Sequence, residues 1–232
     1  MFETEYLISL PELIKAYDIP GLSLALISEK KIVTFECGVK NSISQDPVTS
    51  STVFEAASLS KPLIAYAALE LCENGLLEMD QPLSIYLPSP ESEDPFLSAV
   101  TLRHVLSHTG GFPTANLKPG DPLKLEFYPG IQVQINKEIG WGLGWGIEIT
   151  PKGSSSWHSG DNGTFQCLAF QNEQTGFIIM TNSANGMKIY RHIFDLLIGG
   201  EHPLFDWEQF DSRAEEKLDE EFLANWWKIY EL

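Results

Sequence analysis

The strand-like segments of this chain fall into two groups, and their separation constrains the fold more than any other feature. Apolar strand patterns mark residues 21–28 and 31–38 in the first group, and 140–149, 163–170 and 176–182 in the second. Helical periodicity marks residues 3–17 before the first group and 189–198 after the second. The chain between the groups is also largely helical in pattern. This order predicts an α+β fold, with about five antiparallel strands, terminal helices on one face and a helical insertion on the other.

The same pattern predicts how the chain is divided. Residues 1–205 form a single domain, whose sheet part comprises about 1–48 and 140–200 and whose reduced helical part is about 49–139. Residues 206–232 form a C-terminal helical tail, in which charged residues alternate with an apolar side.

Composition excludes several classes of partner. The formal net charge of −17 would repel both nucleic acid and anionic membrane surfaces, so neither is expected as a partner. The N-terminus has no basic segment followed by an apolar run, so the sequence predicts no signal peptide and a cytoplasmic location. The three cysteines are odd in number and widely spaced, which favours free buried thiols. No cofactor is expected.

The segment Phe54-Glu-Ala-Ala-Ser-Leu-Ser-Lys places Ser58 three residues before Lys61, at the start of an Ala- and Leu-rich helix that ends near Gly75. Three residues are close to one helical turn, so the two side chains would lie on the same face. The helix N-terminus favours developing negative charge at Ser58. A desolvated lysine can lose its proton near neutral pH and deprotonate a serine. The spacing therefore predicts a nucleophile with a neighbouring base, against the alternative of a helix N-cap and a solvated lysine.

Other candidate sites are weaker. His104 and His108 have the spacing of a zinc pair, but the segment His-Val-Leu-Ser-His lacks the glutamate of a metalloprotease helix. A structural role is favoured for both histidines, and no metal site is predicted. The chain has no Gly-x-Ser-x-Gly elbow, and Gly140–Gly146 lacks the lysine and following helix of a phosphate loop. The polar stretch Trp157–Gly163 is either a turn or a strand start whose histidine reaches over a pocket.

Taken together, five motifs occur in one order: Phe54–Lys61, Leu102–Pro113, Trp141–Trp145, His158–Gly160 and Thr181–Ser183. Over roughly residues 5–205 this order closely resembles the serine β-lactamase-like and penicillin-binding protein family. That family includes class C β-lactamases, D-Ala-D-Ala carboxypeptidases and related esterases. The resemblance implies a β-lactamase/transpeptidase-like fold and a small amide or ester as substrate.

Carried over to this chain, the resemblance implies that Ser58 is the acylated nucleophile and Lys61 its proton partner. His158, Ser159 and Gly160 stand where the family has Lys-Thr-Gly or His-x-Gly on the strand that lines the substrate. The backbone N–H groups of Ser58 and Asp161 would form the oxyanion hole. Two preorganised donors aimed at a tetrahedral oxygen contribute several kcal/mol to such a reaction.

The chain departs from the family in one element. Phe127-Tyr-Pro-Gly130 matches the family's Phe-x-Pro-Gly turn, but the Tyr-x-Asn element that follows it in the family is missing. Tyr128 precedes the turn and is a poor substitute, since a packed loop aromatic is the favoured interpretation. The chain then runs directly to Trp141, where the family has a further helical stretch. The helical lobe is therefore reduced.

Three hypotheses follow. The first is a serine hydrolase that acts on a β-lactam, a D-Ala-D-Ala peptide or a short-chain ester, with Lys61 alone as base. The second is a non-catalytic or acylation-only relative that binds a ligand or partner through the cleft. In either case the reduced lobe would expose apolar surface, which favours a homodimer. The third, disfavoured hypothesis is metal-dependent hydrolysis through His104 and His108.

Overall fold

The computed structural model describes Leu7 and residues 9–28, 31–86, 97–110 and 136–210. Within these ranges, five α-helices are α1 (Leu10–Ala16), α2 (Ser60–Glu73), α3 (Leu102–Leu106), α4 (Tyr190–Leu197) and α5 (Leu204–Glu208). The strands are β1 (Gly21–Ser28), β2 (Lys31–Gly38), β3 (Ile139–Trp141), β4 (Gly146–Thr150), β5 (Gly153–Asp161), β6 (Gln166–Gln171) and β7 (Thr175–Thr181). None of the helices in these ranges combines the length and apolar character needed to cross a bilayer.

The strands form one sheet in the order β2-β1-β7-β6-β5-β4-β3. The pairs β1–β2, β1–β7, β5–β6 and β6–β7 are antiparallel. The predicted α+β class is confirmed, but the sheet has seven strands where about five were predicted. Segment 140–149 is a hairpin of two short strands rather than one strand. The nine residues of β5 (Gly-Ser-Ser-Ser-Trp-His-Ser-Gly-Asp) carry almost no apolar alternation, so only the resemblance, and no apolar pattern, predicted a strand at His158–Gly160.

The chain divides into two compact units, Met1–Ser60 with Glu148–Leu232, and Lys61–Ile147. The boundaries predicted at 205 and 206 remain predictions, and α5 crosses that position. From residue 211 onward, the segment predicted as a C-terminal helical tail lies outside the described residues.

In the first unit, alternation along the strands sends every second side chain into one apolar core. Leu22, Leu24 and Leu26 of β1 are buried, as are their partners on β7. Aromatic rings of β6, β7, α4 and α5 then pack edge to face or stacked: Phe170, Phe177, Phe194, Phe205 and Phe210. These helices therefore cover one face of the sheet.

A buried carboxylate also holds the end of this core. Glu148 of β4 is fully buried, and its Oε1 accepts hydrogen bonds from Ser155 Oγ (2.9 Å) and pairs with His202 Nδ1 (2.6 Å). Its Oε2 accepts from the backbone N–H of Leu204 at 3.3 Å. Because a buried charge is stable only when paired and hydrogen-bonded, these bonds tie β4, β5 and the start of α5 together.

In the second unit, a small apolar core joins α2 to α3. Ala65, Leu102 and Leu106 are buried, with Leu69 and Leu143 packed against them. As predicted, α2 ends at a left-handed glycine, since Gly75 has φ +70°. Thr101 caps α3: its Oγ1 accepts from the backbone N–H of His104, whose Nδ1 in turn accepts from the backbone N–H of Thr101. Local capping chemistry thus sets both helix ends.

Candidate active site

Ser58 lies in a tight turn just before α2. A single 3₁₀ turn covers Ala57–Leu59, and the backbone N–H of Leu59 donates to Ala56 O at 2.9 Å. The helix itself begins at Ser60, so Lys61 is its second residue. Ala57 has φ +44°, a left-handed conformation that favours glycine and costs another residue on the order of 1 kcal/mol. The turn that presents Ser58 is therefore strained and must be held by its surroundings.

The hairpin formed by β5 and β6 supplies that support on one side. Phe54 packs edge to face against Phe165, with ring centroids 6.2 Å apart. The amide of Asn162 donates to the carboxylate of Glu55, while its own Oδ1 accepts from the backbone N–H of Phe165 at 2.8 Å. The residues that lead into the Ser58 turn are thus tied to the tip of the hairpin.

Closer to Ser58, the contact is between backbones. A methyl group on Gly160 of β5 would lie 2.6 Å from Ala56 O and 3.2 Å from the backbone nitrogen of Leu59. Only a residue without a side chain allows β5 to pass this close to the turn. Steric fit therefore explains why the His158–Gly160 motif ends in glycine: its lack of a side chain lets the strand lie against the residues on both sides of Ser58.

Cys167 of β6 makes a further contact with the residues before Ser58. Its thiol is fully buried and donates to Ala56 O at 3.1 Å, with Gly160 O 3.6 Å away. Burial, followed by the negative charge of Asp161, raises the pKa of the Cys167 thiol to about 12. The thiol is therefore protonated at neutral pH and available as a hydrogen-bond donor. All three cysteines are free, as predicted, but only Cys167 is buried and the other two are half-buried.

The side chains of β5 alternate between the two faces of the sheet. Gly160 pairs with Cys167 and faces the Ser58 turn, so His158, two residues earlier, lies on that same face. His158 is buried, and its Nδ1 lies 2.7 Å from Ser159 O. Ser159 and Asp161 project to the opposite face. Of the four strand residues predicted to line the site, only His158 and Gly160 therefore lie on the face of β5 that is turned toward Ser58.

The two residues on the opposite face have other partners. Asp161 Oδ1 accepts from the backbone N–H of Gly163 at 2.8 Å, and Oδ2 accepts from Gln166 Nε2 at 3.1 Å. Ser159 Oγ donates to Glu208 Oε2 of α5 at 3.2 Å. Glu208 did not emerge from the sequence. The one available signal was Trp157, whose indole N–H needs an acceptor once the ring is buried.

In the second unit, the first turn of α2 packs closely against the β3–β4 turn. Gly144 has φ +85°, and a methyl group there would lie 2.5 Å from Ala65 Cβ. The backbone N–H of Gly144 also donates to Leu106 O at 2.7 Å. Within the Trp141–Trp145 motif, Gly144 therefore makes the close approach to α2.

The two histidines with the spacing of a zinc pair have structural contacts, His104 within α3 and His108 two residues past its end. His104 takes part in the capping of α3, and the ring of His108 packs edge to face on Trp141 at 4.7 Å. Burial, and then the positive charge of Lys61, holds the pKa of His108 below its ordinary value, so its ring is neutral at pH 7. Across the described parts of the chain, no group of three His, Cys, Asp or Glu side chains is placed to hold a metal ion. Tyr128 and the Phe127–Gly130 turn lie outside the described residues.

Comparisons with known proteins identify the family of this chain. A family model described as Beta-lactamase matches residues 10–139. A beta-lactamase from Pseudomonas fluorescens is 33% identical over 140 residues, which cover 55% of this chain and 38% of that protein. Esterase EstB from Burkholderia gladioli is 39% identical over 67 residues, covering 28% of this chain and 17% of the esterase. The chain spans between 29% and 38% of the length of three of its curated relatives.

Solved structures show the same fold at low sequence identity. The beta-lactamase/D-alanine carboxypeptidase from Pseudomonas syringae superimposes with a TM-score of 0.70 at 14% identity, covering 87% of this chain and 99% of that one. Its likeness supports the predicted β-lactamase/transpeptidase-like fold. Because the family model matches more than half of the chain, the chain belongs to the beta-lactamase family.

Proposed function

We propose that this protein is a serine hydrolase that cleaves a small amide or ester through an acyl-enzyme on Ser58. The substrate class comprises β-lactams, D-Ala-D-Ala peptides and short-chain esters. The observation that carries the proposal is the fit of Gly160 against Ala56 and Leu59, because it brings β5 against the turn that holds the nucleophile. The esterase and β-lactamase relatives support the same general chemistry.

In the proposed reaction, Ser58 Oγ attacks the substrate carbonyl carbon while Lys61 accepts the hydroxyl proton. The negative charge that develops on the carbonyl oxygen is stabilised by the backbone N–H groups of Ser58 and Asp161. The tetrahedral intermediate collapses when the bond to the leaving group breaks, and Lys61 returns its proton to that group. Water then attacks the acyl-enzyme, releasing the acid and regenerating Ser58. His158 and Gly160 line the substrate side of β5.

The test is labelling of the intact chain with a fluorescent penicillin and with a fluorophosphonate, followed by mass measurement. We expect a single adduct on the wild type and none on Ser58→Ala, because the alanine has no nucleophilic oxygen. A related carboxypeptidase labelled in parallel is the positive control. A wild type that stays unlabelled beside that control would exclude the enzyme hypothesis, and an adduct that persists in Ser58→Ala would exclude Ser58 as nucleophile.

A second candidate function is binding or acylation without turnover. It is favoured by a feature of the sequence, since no Tyr-x-Asn element follows Phe127–Gly130 to help move the serine proton. The one tyrosine in that stretch of sequence is Tyr128, which comes before Pro129 and Gly130. Under this alternative, the label would form on Ser58 but release of the acyl group would be undetectable over hours, which a pulse-chase of the fluorescent adduct measures.

The proposal includes a homodimer. On α2, Leu63, Ile64 and Tyr66 are all about two-thirds exposed, which is unusual for apolar side chains on one short stretch of helix. Pairing of two copies would remove this surface from water. Sedimentation velocity is expected to show a dimer that Leu63→Glu weakens, and a wild type that remains monomeric at high concentration would refute it.

A further inference from the structure

Trp157 of β5 is a fully buried side chain whose polar atom has a charged partner. Its ring faces away from the Ser58 turn, and its Nε1–H donates to Glu208 Oε1 at 2.9 Å. A buried indole N–H without an acceptor is costly, so this bond holds the tryptophan and the last turn of α5 in one arrangement.

The other oxygen of the same carboxylate binds the next residue on that face. Ser159 Oγ donates to Glu208 Oε2 at 3.2 Å. Hydrogen bonds to an ionised acceptor are stronger than those between neutral groups. One carboxylate therefore holds the two residues on either side of His158.

The end of α5, which carries this carboxylate, is packed into the apolar core. Phe205 and Phe210, on either side of Glu208, are buried and pack against each other with centroids 5.6 Å apart. Burial, followed by nearby acidic groups that include Asp161 and Glu208, holds the pKa of the Tyr190 phenol well above its ordinary value.

The position of Trp157 and Ser159, which Glu208 holds on one face of β5, also fixes the position of Gly160 on the other face. Gly160 fits against Ala56 O and Leu59 N with no room for a methyl group. Packed interiors transmit strain because they have no free volume to absorb it. A shift of β5 by a fraction of an ångström would therefore reach the Ser58 turn and the backbone N–H of Asp161.

We propose that Glu208 is a positioning residue of the active site: through Trp157 and Ser159 it sets the position of His158–Asp161 against the Ser58 turn. The inference rests on the proposed function and extends it to α5, a segment beyond the residues that the family model matches. Glu208 acts through β5 and does not touch the substrate.

The experiment compares Glu208→Ala, Glu208→Gln and the wild type by the second-order rate constant of acylation with a fluorophosphonate. We expect Glu208→Ala to lower this constant by about 10- to 100-fold, the scale of a small misplacement of catalytic groups. Glu208→Gln is expected to restore most of the rate, because its amide oxygen still accepts from Trp157 and its NH₂ group donates to Ser159 Oγ. Asp206→Asn, on the exposed side of the same helix, is the matched control and is expected to match the wild type.

A second measurement separates positioning from general stability. Hydrogen exchange of the backbone amides of 158–161 and of the Trp157 indole is expected to accelerate in Glu208→Ala at temperatures where the protein remains folded. Ser159→Ala removes one of the two bonds, and its effect on acylation should not add to that of Glu208→Ala. If Glu208→Ala does not fold, Ser159→Ala is compared with the wild type instead, and wild-type acylation and wild-type exchange in Ser159→Ala would then overturn the inference.

Normal acylation by folded Glu208→Ala, or effects of Glu208→Ala and Ser159→Ala that simply add, would overturn the inference. A wild type that is not acylated at all would instead refute the proposed function. The hydrogen-exchange rates of the β5 amides would then still decide whether Glu208 positions the strand.

Discussion

Replacing Lys61 with methionine is expected to lower the acylation rate of Ser58 by about 10²- to 10⁴-fold, the contribution of a general base. Methionine has a similar length but cannot accept the proton of the serine hydroxyl. The effect should lie near the upper end of that range, because no Tyr-x-Asn tyrosine is present in the sequence to take over the proton. The measurement is the fluorophosphonate rate constant in the folded wild type and variant.

Lys61→Arg distinguishes a base from a positive charge. Arginine keeps the charge at this position but does not lose its proton in proteins. We expect Lys61→Arg to be nearly as slow as Lys61→Met. An arginine variant that acylates at the wild-type rate would show that Lys61 contributes only its charge, and the proposed proton transfer would be wrong.

Replacing Gly160 with alanine is the second change with a large expected effect. The added methyl group would lie 2.6 Å from both Ala56 O and Cys167 Sγ, distances that require the turn or the strand to move. Overpacking of this kind typically costs about 1–3 kcal/mol of unfolding free energy. Because the atoms that must move flank Ser58, we expect acylation to fall by about 100-fold in the protein that remains folded.

Ala57→Gly is the matched control on the other side of the same contact. It should raise the free energy of unfolding by up to about 1 kcal/mol, since glycine adopts φ +44° without strain. Chemical denaturation measures both variants, and acylation is measured on the folded fraction. A Gly160→Ala variant with wild-type stability and acylation would show that the backbone contact between β5 and the Ser58 turn does not matter.

The two sides of the proposed site differ in how much support the structure gives them. The oxyanion side rests on a network of contacts: Gly160, Cys167 and Asn162 each touch the segment from Glu55 to Leu59. The proton-transfer side rests on the sequence motif, in which Lys61 follows Ser58 by three residues. The Lys61 variants test the proton-transfer side and the Gly160 and Glu208 variants test the oxyanion side, so their results are independent.

Local chemistry explains which predictions succeeded. The left-handed Gly75 after α2 and the start of a helix beside Ser58 both depend on residues within one or two turns of each other. Such features follow from backbone conformation and short-range hydrogen bonds, which the sequence alone determines. The ordered set of motifs likewise identified the family, which the family model confirms.

The surroundings of the Ser58 turn were decided only by the tertiary structure. Strand β5 is rich in serine and has no apolar alternation, so it becomes a strand only because β6 pairs with it. Glu208 reaches Trp157 across 51 residues and Asn162 reaches Glu55 across 107. Contacts at such separations follow from how whole elements pack, which no local pattern encodes. The sequence determined that a helix carrying Lys61 begins beside Ser58. The tertiary structure determined which strand lies against the Ser58 turn and what holds that strand in place.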